Sequence, residues 1–269
     1  MKLHIIKQAF NRMSILLILL ITACDTTKKI ASNNEFTLLT YNIHHANPPS
    51  KPGVIDIDAI CNVLKLANAD VIALQEVDVR TNRSDNIDEA KEIAKQLGMS
   101  YHFFKAIDHD GGDYGLAILS KLPMKNPQTI ALPQVEKAEQ RILALVQVKV
   151  KNKWVYIANT HLDALRSHKN RLAQMQFIMN KTSAIKLPIL LCGDLNSLPT
   201  SEAIGILDKH FTRTCLDDCL PTVPQTTPRN TIDYVAIKNS SWQQKSIEVI
   251  EETYASDHRP IKVIFGITK

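Results

Sequence analysis

The sequence predicts an α/β sandwich. Two observations predict it: short apolar runs rich in β-formers alternate with stretches of helical spacing, and the middle of the chain carries long runs that look antiparallel. That mixture fits a sandwich better than a simple parallel sheet. The 269 residues are 45% hydrophobic and 22% charged, enough for one large domain or two small ones. No repeat or low-complexity tract divides them, and the reading is one domain behind a short leader.

Taken in order, 36–41 reads as a strand. Residues 56–66 place Ile57, Ile60, Val63, Leu64 and then Ala67 at helical spacing. Residues 71–74 are a strand, and 88–97 a helix closed by Gly98 as its C-terminal cap. Strands follow at 101–105, 116–120, 142–150 and 154–160, then a helix at 166–180, a strand at 189–191 and a helix at 201–207. Strands at 232–237, 247–249 and 261–265 complete the chain. Gly111-Gly112 before a strand reads as a hairpin turn, with a shaping role at a cleft rim as the alternative.

The leader is a distinct segment. Lys2, Lys7 and Arg12 precede an apolar run at 15–21, and Thr22-Ala23-Cys24 follows. A basic start, a short apolar run and small residues before a cut site describe a secretory signal peptide over 1–23. The run is far shorter than the roughly 20 residues of a membrane span. Leu20-Ile21-Thr22-Ala23-Cys24 resembles a bacterial lipobox, which implies lipidation of Cys24, a tether over 24–35 and a main domain over 36–269. An ordinary cleaved signal or an uncleaved anchor is the alternative. On this reading the protein is an exported lipoprotein held to a membrane by its anchor, and no stable protein partner is implied. Without the leader, 29 basic residues face 27 acidic ones, a net +2 in place of +5. A protein that grips long polyanions is expected to carry a more basic face. Cys61 and Cys192 fall in apolar elements and are expected to be buried, whereas Cys215 and Cys219 lie in a loop where an exported protein permits a disulfide.

Polar residues collect at strand ends. Asn42 ends the first strand, Glu76 the second, His161 a later one, and Asp194 with Asn196 the next. Asp233 begins a strand, and Asp257-His258 immediately precedes the last. Carboxylates and amides at the ends of several strands can converge on one cleft, and hard oxygen ligands suit Mg2+, Mn2+ or Ca2+. Histidines beside them can move protons or stabilise charge.

This constellation, in this order, resembles the endonuclease/exonuclease/phosphatase superfamily, over essentially all of 36–265. The resemblance implies a four-layered fold, two packed mixed β-sheets flanked by helices, with the site at one edge of the sandwich. It implies Asn42, Glu76 and Asp257 at or beside a divalent metal, taken as Mg2+ with Mn2+ or Ca2+ as alternatives. By the same resemblance Asp194 orients or deprotonates the attacking water, Asn196 holds a phosphate oxygen, and His161 and His258 face the phosphate. Asp233 then orients His258. Arg80 and Arg141 are further candidates for phosphate binding, because guanidinium groups suit that anion, while Arg83 reads as a solvated residue. His44 lies near the cleft with no role assigned.

The function expected is a metal-dependent phosphoesterase acting outside the cytoplasm, with a lean to a lipid head group or inositol-type phosphate. A secreted nuclease, with nucleic acid as substrate, is the second reading. An inactive binding module on the same scaffold is the third.

Overall fold

Alternate residues of the first strand enter different cores, and this sets the layering of the molecule. The computed structural model describes residues 34–216 and 218–267; the leader, Cys24 and the tether up to residue 33 lie outside them. In β1 (Glu35–Asn42), Phe36 and Leu38 join one apolar cluster, while Leu39 and Tyr41 join another. That is the period of two that a strand imposes.

β1 pairs parallel with β2 (Val71–Val79) and antiparallel with β12 (Ile261–Gly266). β4 (Gly112–Ser120), β3 (Ser100–His109) and β11 (Gln243–Val249) complete a six-stranded sheet in the order β11-β12-β1-β2-β4-β3. The second sheet contains β5 (Met124–Ala131), β6 (Ile142–Val150), β7 (Lys153–His161), β8 (Ile189–Asp194), β9 (Thr212–Arg213) and β10 (Asp233–Lys238). Its order is β5-β6-β7-β8-β10-β9. Each sheet has one parallel pair, β1–β2 and β7–β8, and each pair is bridged by a helix as a parallel connection requires.

The sheets face each other across Phe36, Leu38, Val71, Ile118, Val146, Ile157, Leu190 and Val235. Helices α1 (Ile57–Ala67) and α2 (Glu89–Leu97) cover the outer face of the first sheet through Ile60, Cys61, Leu64 and Ile93. Helices α3 (Lys169–Ser183) and α4 (Glu202–Asp208) cover the second through Met175, Ile178, Ile204 and Leu207. The result is the four-layered sandwich that the resemblance implies. Asp56 and Asp88 cap α1 and α2 by accepting the Ala59 and Lys91 N–H bonds, and Gly98 closes α2 in the left-handed region at φ 64°.

Three departures from the sequence reading have local causes. β5 carries Pro127 and a positive-φ Asn126 at a break in register, and pairs only with β6. An edge strand tolerates proline and a bulge, and its alternation is lost with its exposure. β9 has only two residues, too short for a periodic signal. α3 begins three residues later than expected, at Lys169, and ends later, at Ser183. Gly111-Gly112 lies in the β3–β4 hairpin, the turn reading. Cys215 and Cys219 are joined in a disulfide, and Cys61 and Cys192 are buried free thiols.

Candidate active site

Both parallel strand pairs deliver polar residues from their C-terminal ends, and backbone irregularities aim them. In β2 the register with β4 breaks between Leu74 and Val77, and Glu76 sits in the left-handed region at φ 56°. A bulge of this kind re-aims a side chain that regular pleating would bury. Glu76 is half-buried while Gln75 and Val77 beside it are fully buried. In the other sheet, Gly193 has φ +138° and a Cβ there would stand 1.9 Å from the Thr160 carbonyl oxygen. Only glycine permits that approach, which puts Asp194 in register with His161 across β7 and β8.

Asp194 is the hub. Its Oδ2 accepts from Asn42 Nδ2 at 3.2 Å and lies 3.4 Å from His161 Nε2 and 3.6 Å from His258 Nε2. Its Oδ1 accepts the Asn196 backbone N–H at 2.9 Å. Asn42 Nδ2 also donates to Glu76 Oε1 at 2.9 Å, which joins the two sheets through one amide. His258 Nδ1 lies 2.9 Å from Asp233 Oδ2, and that oxygen accepts from Thr222 Oγ1 at 2.5 Å. Ser256 Oγ donates to the Asn42 carbonyl at 2.7 Å and accepts the His258 backbone N–H, fixing the last loop against β1.

The two histidines are held in different states. Arg141 Nη1 lies 3.2 Å from His161 Nδ1. A guanidinium can only donate, so Nδ1 accepts and the ring proton sits on Nε2, facing Asp194. Burial, then the charges of Arg141 and His258, push the His161 pKa well below the usual imidazole range. His258 goes the other way. Burial alone would lower its pKa, but the carboxylates of Asp233 and Asp194 outweigh burial and raise it to about 10. Asp194 is itself raised, chiefly by burial and then by the Asp233 carboxylate. At neutral pH the cleft therefore holds one neutral and one cationic imidazole beside a carboxylate that binds protons readily.

Seven of the expected residues are brought together: Asn42, Glu76, His161, Asp194, Asn196, Asp233 and His258. Arg141 joins them through His161 and pairs with Glu139 Oε1 at 2.9 Å. Three placements bear on the expected roles. Asn42 faces the carboxylates with its nitrogen and stands beside Glu76, while its Oδ1 accepts the His44 N–H at 3.0 Å. Asp257 is half-buried and belongs to neither of the two trios that could hold an ion, Asp194–Asp233–His258 and His44–His45–Glu76. Arg80 is exposed and makes none of the hydrogen bonds that join the cluster. Arg83 is exposed, as a surface residue is expected to be, but its guanidinium forms a forked pair with buried Asp78 at 2.7 and 2.9 Å.

Some partners were invisible in the sequence. Thr222 lies in a long irregular loop with nothing in its neighbourhood to mark it. Gln75 and Asn159 bridge the sheets beneath the site at 2.7 Å, a role their place at strand ends alone does not assign. His44 and His45 did carry a signal, a His pair directly after Asn42-Ile43, and both belong with Glu76. Beside Asn196 a cavity of about 380 Å3 is lined by His168, Arg171, Leu172 and Leu198 among others.

The comparisons with known proteins give this fold and cleft a family. The profile of the Endonuclease/Exonuclease/phosphatase family matches residues 39–258, and the chain belongs to that family. Its members are hydrolases acting on phosphate esters and depend on a divalent metal. Human nocturnin is 26% identical over 247 residues, covering 74% of this chain and 55% of nocturnin. The 5'-tyrosyl-DNA phosphodiesterase of Caenorhabditis briggsae is 25% identical over 190 residues, covering 67% of this chain and 51% of that protein. The chain thus spans about half the length of these two curated relatives. Among solved structures, an endonuclease/exonuclease/phosphatase from Beutenbergia cavernae superposes with a TM-score of 0.73 at 21% identity, over 87% of this chain and 72% of that one. The mannosyl-6-phosphatase Bt3783 of Bacteroides thetaiotaomicron does so at 0.71 and 17% identity, over 86% and 99%.

Proposed function

We propose that this protein is a divalent-metal-dependent phosphoesterase that hydrolyses a small phosphate ester outside the cytoplasm. The observation that carries the proposal is the convergence of Asn42, Glu76, His161, Asp194, Asp233 and His258, from both sheets, on one cleft. The donor set fits a divalent cation: Glu76 offers a half-buried carboxylate in the cleft, and Asp257 stands half-buried on the loop before β12. Such an ion, when bound, supplies charge that polarises a phosphoryl oxygen and lowers the pKa of water.

The protein's own groups do the rest. Asp194 Oδ2 takes the proton of the attacking water, a task that its raised proton affinity suits. Cationic His258, kept in orientation by Asp233 on Nδ1, points Nε2–H into the cleft and stabilises the additional negative charge of the transition state. His161 presents a neutral Nε2–H beside the same Asp194 oxygen, its tautomer fixed by Arg141. Asn42 ties Asp194 to Glu76 through its Nδ2, Asn196 holds Asp194 Oδ1 with its backbone N–H while its Nδ2 donates to the Leu162 carbonyl, and Arg141 provides a fixed positive charge behind His161.

The lean toward a lipid head group or inositol-type phosphate rests on the near-neutral chain without its leader and on the Leu20–Cys24 lipobox pattern. The cavity beside Asn196 offers room for a compact group on the ester. A nuclease is the second reading, favoured by the likeness to a tyrosyl-DNA phosphodiesterase. A hydrolysis panel with Mg2+ or Mn2+ against phosphatidylinositol, sphingomyelin, sugar phosphates, plasmid DNA and RNA tests the choice. Turnover of a lipid or small ester above that of DNA and RNA is expected; preference for nucleic acid would replace the first reading by the second. Membrane attachment is tested by Cys24→Ser, which is expected to release the protein into the soluble fraction. Unchanged membrane retention would overturn the anchor.

A further inference from the structure

We propose that His44, His45 and Glu76 form a binding site for a nitrogen-preferring divalent cation, of which Zn2+ is the test ion. One ring nitrogen of each histidine and one Glu76 oxygen all lie within 4.8 Å of one another. Two imidazoles and a carboxylate are a ligand set that suits Zn2+ and neighbouring transition metals, whereas Mg2+ takes oxygen ligands.

Three further observations support the site. His44 Nδ1 lies 2.7 Å from the Asn47 carbonyl oxygen, which must accept, so Nδ1 carries the proton and Nε2 keeps its lone pair. Fixing a ligating imidazole by a backbone carbonyl on its other nitrogen is the usual arrangement around metals. His45 Nδ1 is buried and has no hydrogen-bond partner. A buried ring nitrogen without a partner is costly unless something fills that place. Glu76 Oε1 accepts from Asn42, which leaves the carboxylate further lone pairs for a cation.

The backbone is built for this presentation at some cost. His44, His45 and Ala46 adopt φ of 47°, 41° and 51°, three consecutive left-handed residues, none of them glycine, and Glu76 opposite has φ 56°. Such conformations persist only where surroundings enforce them, and they concentrate at ligand sites. Here the Asn42 side chain accepts the His44 N–H, Asn47 N–H bonds to the His44 carbonyl, and Asp56 N–H bonds to the Ala46 carbonyl. The turn places successive imidazoles with ring centroids 4.6 Å apart. An extended strand would send them to opposite faces.

The inference shares Glu76 with the proposed hydrolase and rests on that reading only there. Calorimetric titration of the metal-stripped full chain with ZnCl2, without Mg2+, tests it. One zinc ion per chain is expected, bound at least about tenfold more weakly by His44→Asn, His45→Asn and Glu76→Gln, the scale of losing one ligand or its support. Asparagine is used because it tolerates left-handed backbone. A second measurement needs no variant: Co2+ added to the wild type is expected to give the intense visible bands of a low-coordinate, nitrogen-ligated ion. Absence of zinc binding in the wild type, or equal affinity in all three variants, would overturn the site. If zinc binding fails while Mg2+-supported hydrolysis still requires Glu76, the cation site falls and the hydrolase stands. Zinc binding that needs these residues, in a protein that hydrolyses no phosphate ester, would keep the cation site and remove the hydrolase.

Discussion

Asp78 and Asp194 are both buried carboxylates in central strands, yet they lead opposite lives. Asp78 accepts from Thr81 Oγ1, Ser84 Oγ and both nitrogens of the Arg83 fork, at 2.7 to 2.9 Å. All of these donors lie within six residues of it. Burial alone would raise its pKa, but the bonds from Arg83, Thr81 and Ser84 hold it below the ordinary value. Asp194 draws its neighbours from four separate parts of the chain, and both histidines stand at 3.4 Å or more. Its pKa is raised by burial and by Asp233. A carboxylate saturated by short local bonds has nothing left to react with. One gathered loosely from distant strands keeps proton affinity and open lone pairs, as a general base requires.

The contrast is sharpest if each site is broken. Asp78→Ala leaves the buried Thr81 and Ser84 hydroxyls without their acceptor and releases the exposed Arg83 to solvent. Stability is expected to fall by about 2 kcal/mol, the scale of leaving buried hydroxyls unsatisfied, read as a lower urea midpoint at unchanged slope. His258→Ala and Asp194→Ala are expected to do the reverse: kcat down by at least about a hundredfold with a far smaller change in midpoint. The His161→Ala/His258→Ala double variant should lose much less than the product of the single losses, because the groups act as one unit. A large stability loss at Asp194 with kcat preserved would erase the distinction.

A third carboxylate tests whether burial alone makes a site reactive. Glu89 in α2 is fully buried, accepts the Asp78 N–H at 2.8 Å through Oε2, and leaves Oε1 without a partner. Burial, with the Asp78 charge nearby, pushes its pKa up to about 8. Between the ordinary value of about 4.5 and 8, the unfolded chain gives up this proton and the folded one keeps it. Stability from this group is therefore full below pH 4.5 and is lost as pH rises toward 8. Glu89→Gln is expected to flatten part of the decline between pH 5 and 8 in thermal melts, with little effect on kcat. An unchanged pH slope would mean that the folded protein holds Glu89 charged. The smallest effect is expected at Lys95, whose exposed partner Glu92 is 3.5 Å away: Lys95→Ala should change stability by less than about 0.5 kcal/mol.

The sequence made the same division only in part. β1, α1, α2 and β6 to β8 were legible because each buries one face or both, and burial leaves a period. The edge strand β5 buries little and carries Pro127, so no period survives. Asn42, Glu76, Asp194 and His258 stood out as polar residues closing apolar strands. Arg83 did not declare its tie to Asp78, and Arg80 read as a phosphate-binding candidate, because a guanidinium in a loop has the same signature whether bound or solvated. The direction of the Asn42 amide was equally hidden. It depends on a backbone N–H two residues on, in a left-handed turn that the letters His-His-Ala do not announce.

On the proposed function, metal dependence turns on Glu76, whose half-buried carboxylate is set off from its fully buried neighbours by the bulge in β2. The direct measurement is hydrolysis of a chromogenic phosphodiester by wild type and Glu76→Gln, after chelation and across a Mg2+ titration. The wild type is expected to lose activity on chelation and regain it with Mg2+. The Gln variant, with unchanged circular dichroism, is expected to stay at least about a hundredfold lower at every concentration, since it keeps the shape but lacks the charge a hard cation needs. Full activity of Glu76→Gln at low Mg2+, or wild-type activity indifferent to chelation, would contradict a metal-dependent hydrolase built on this cleft.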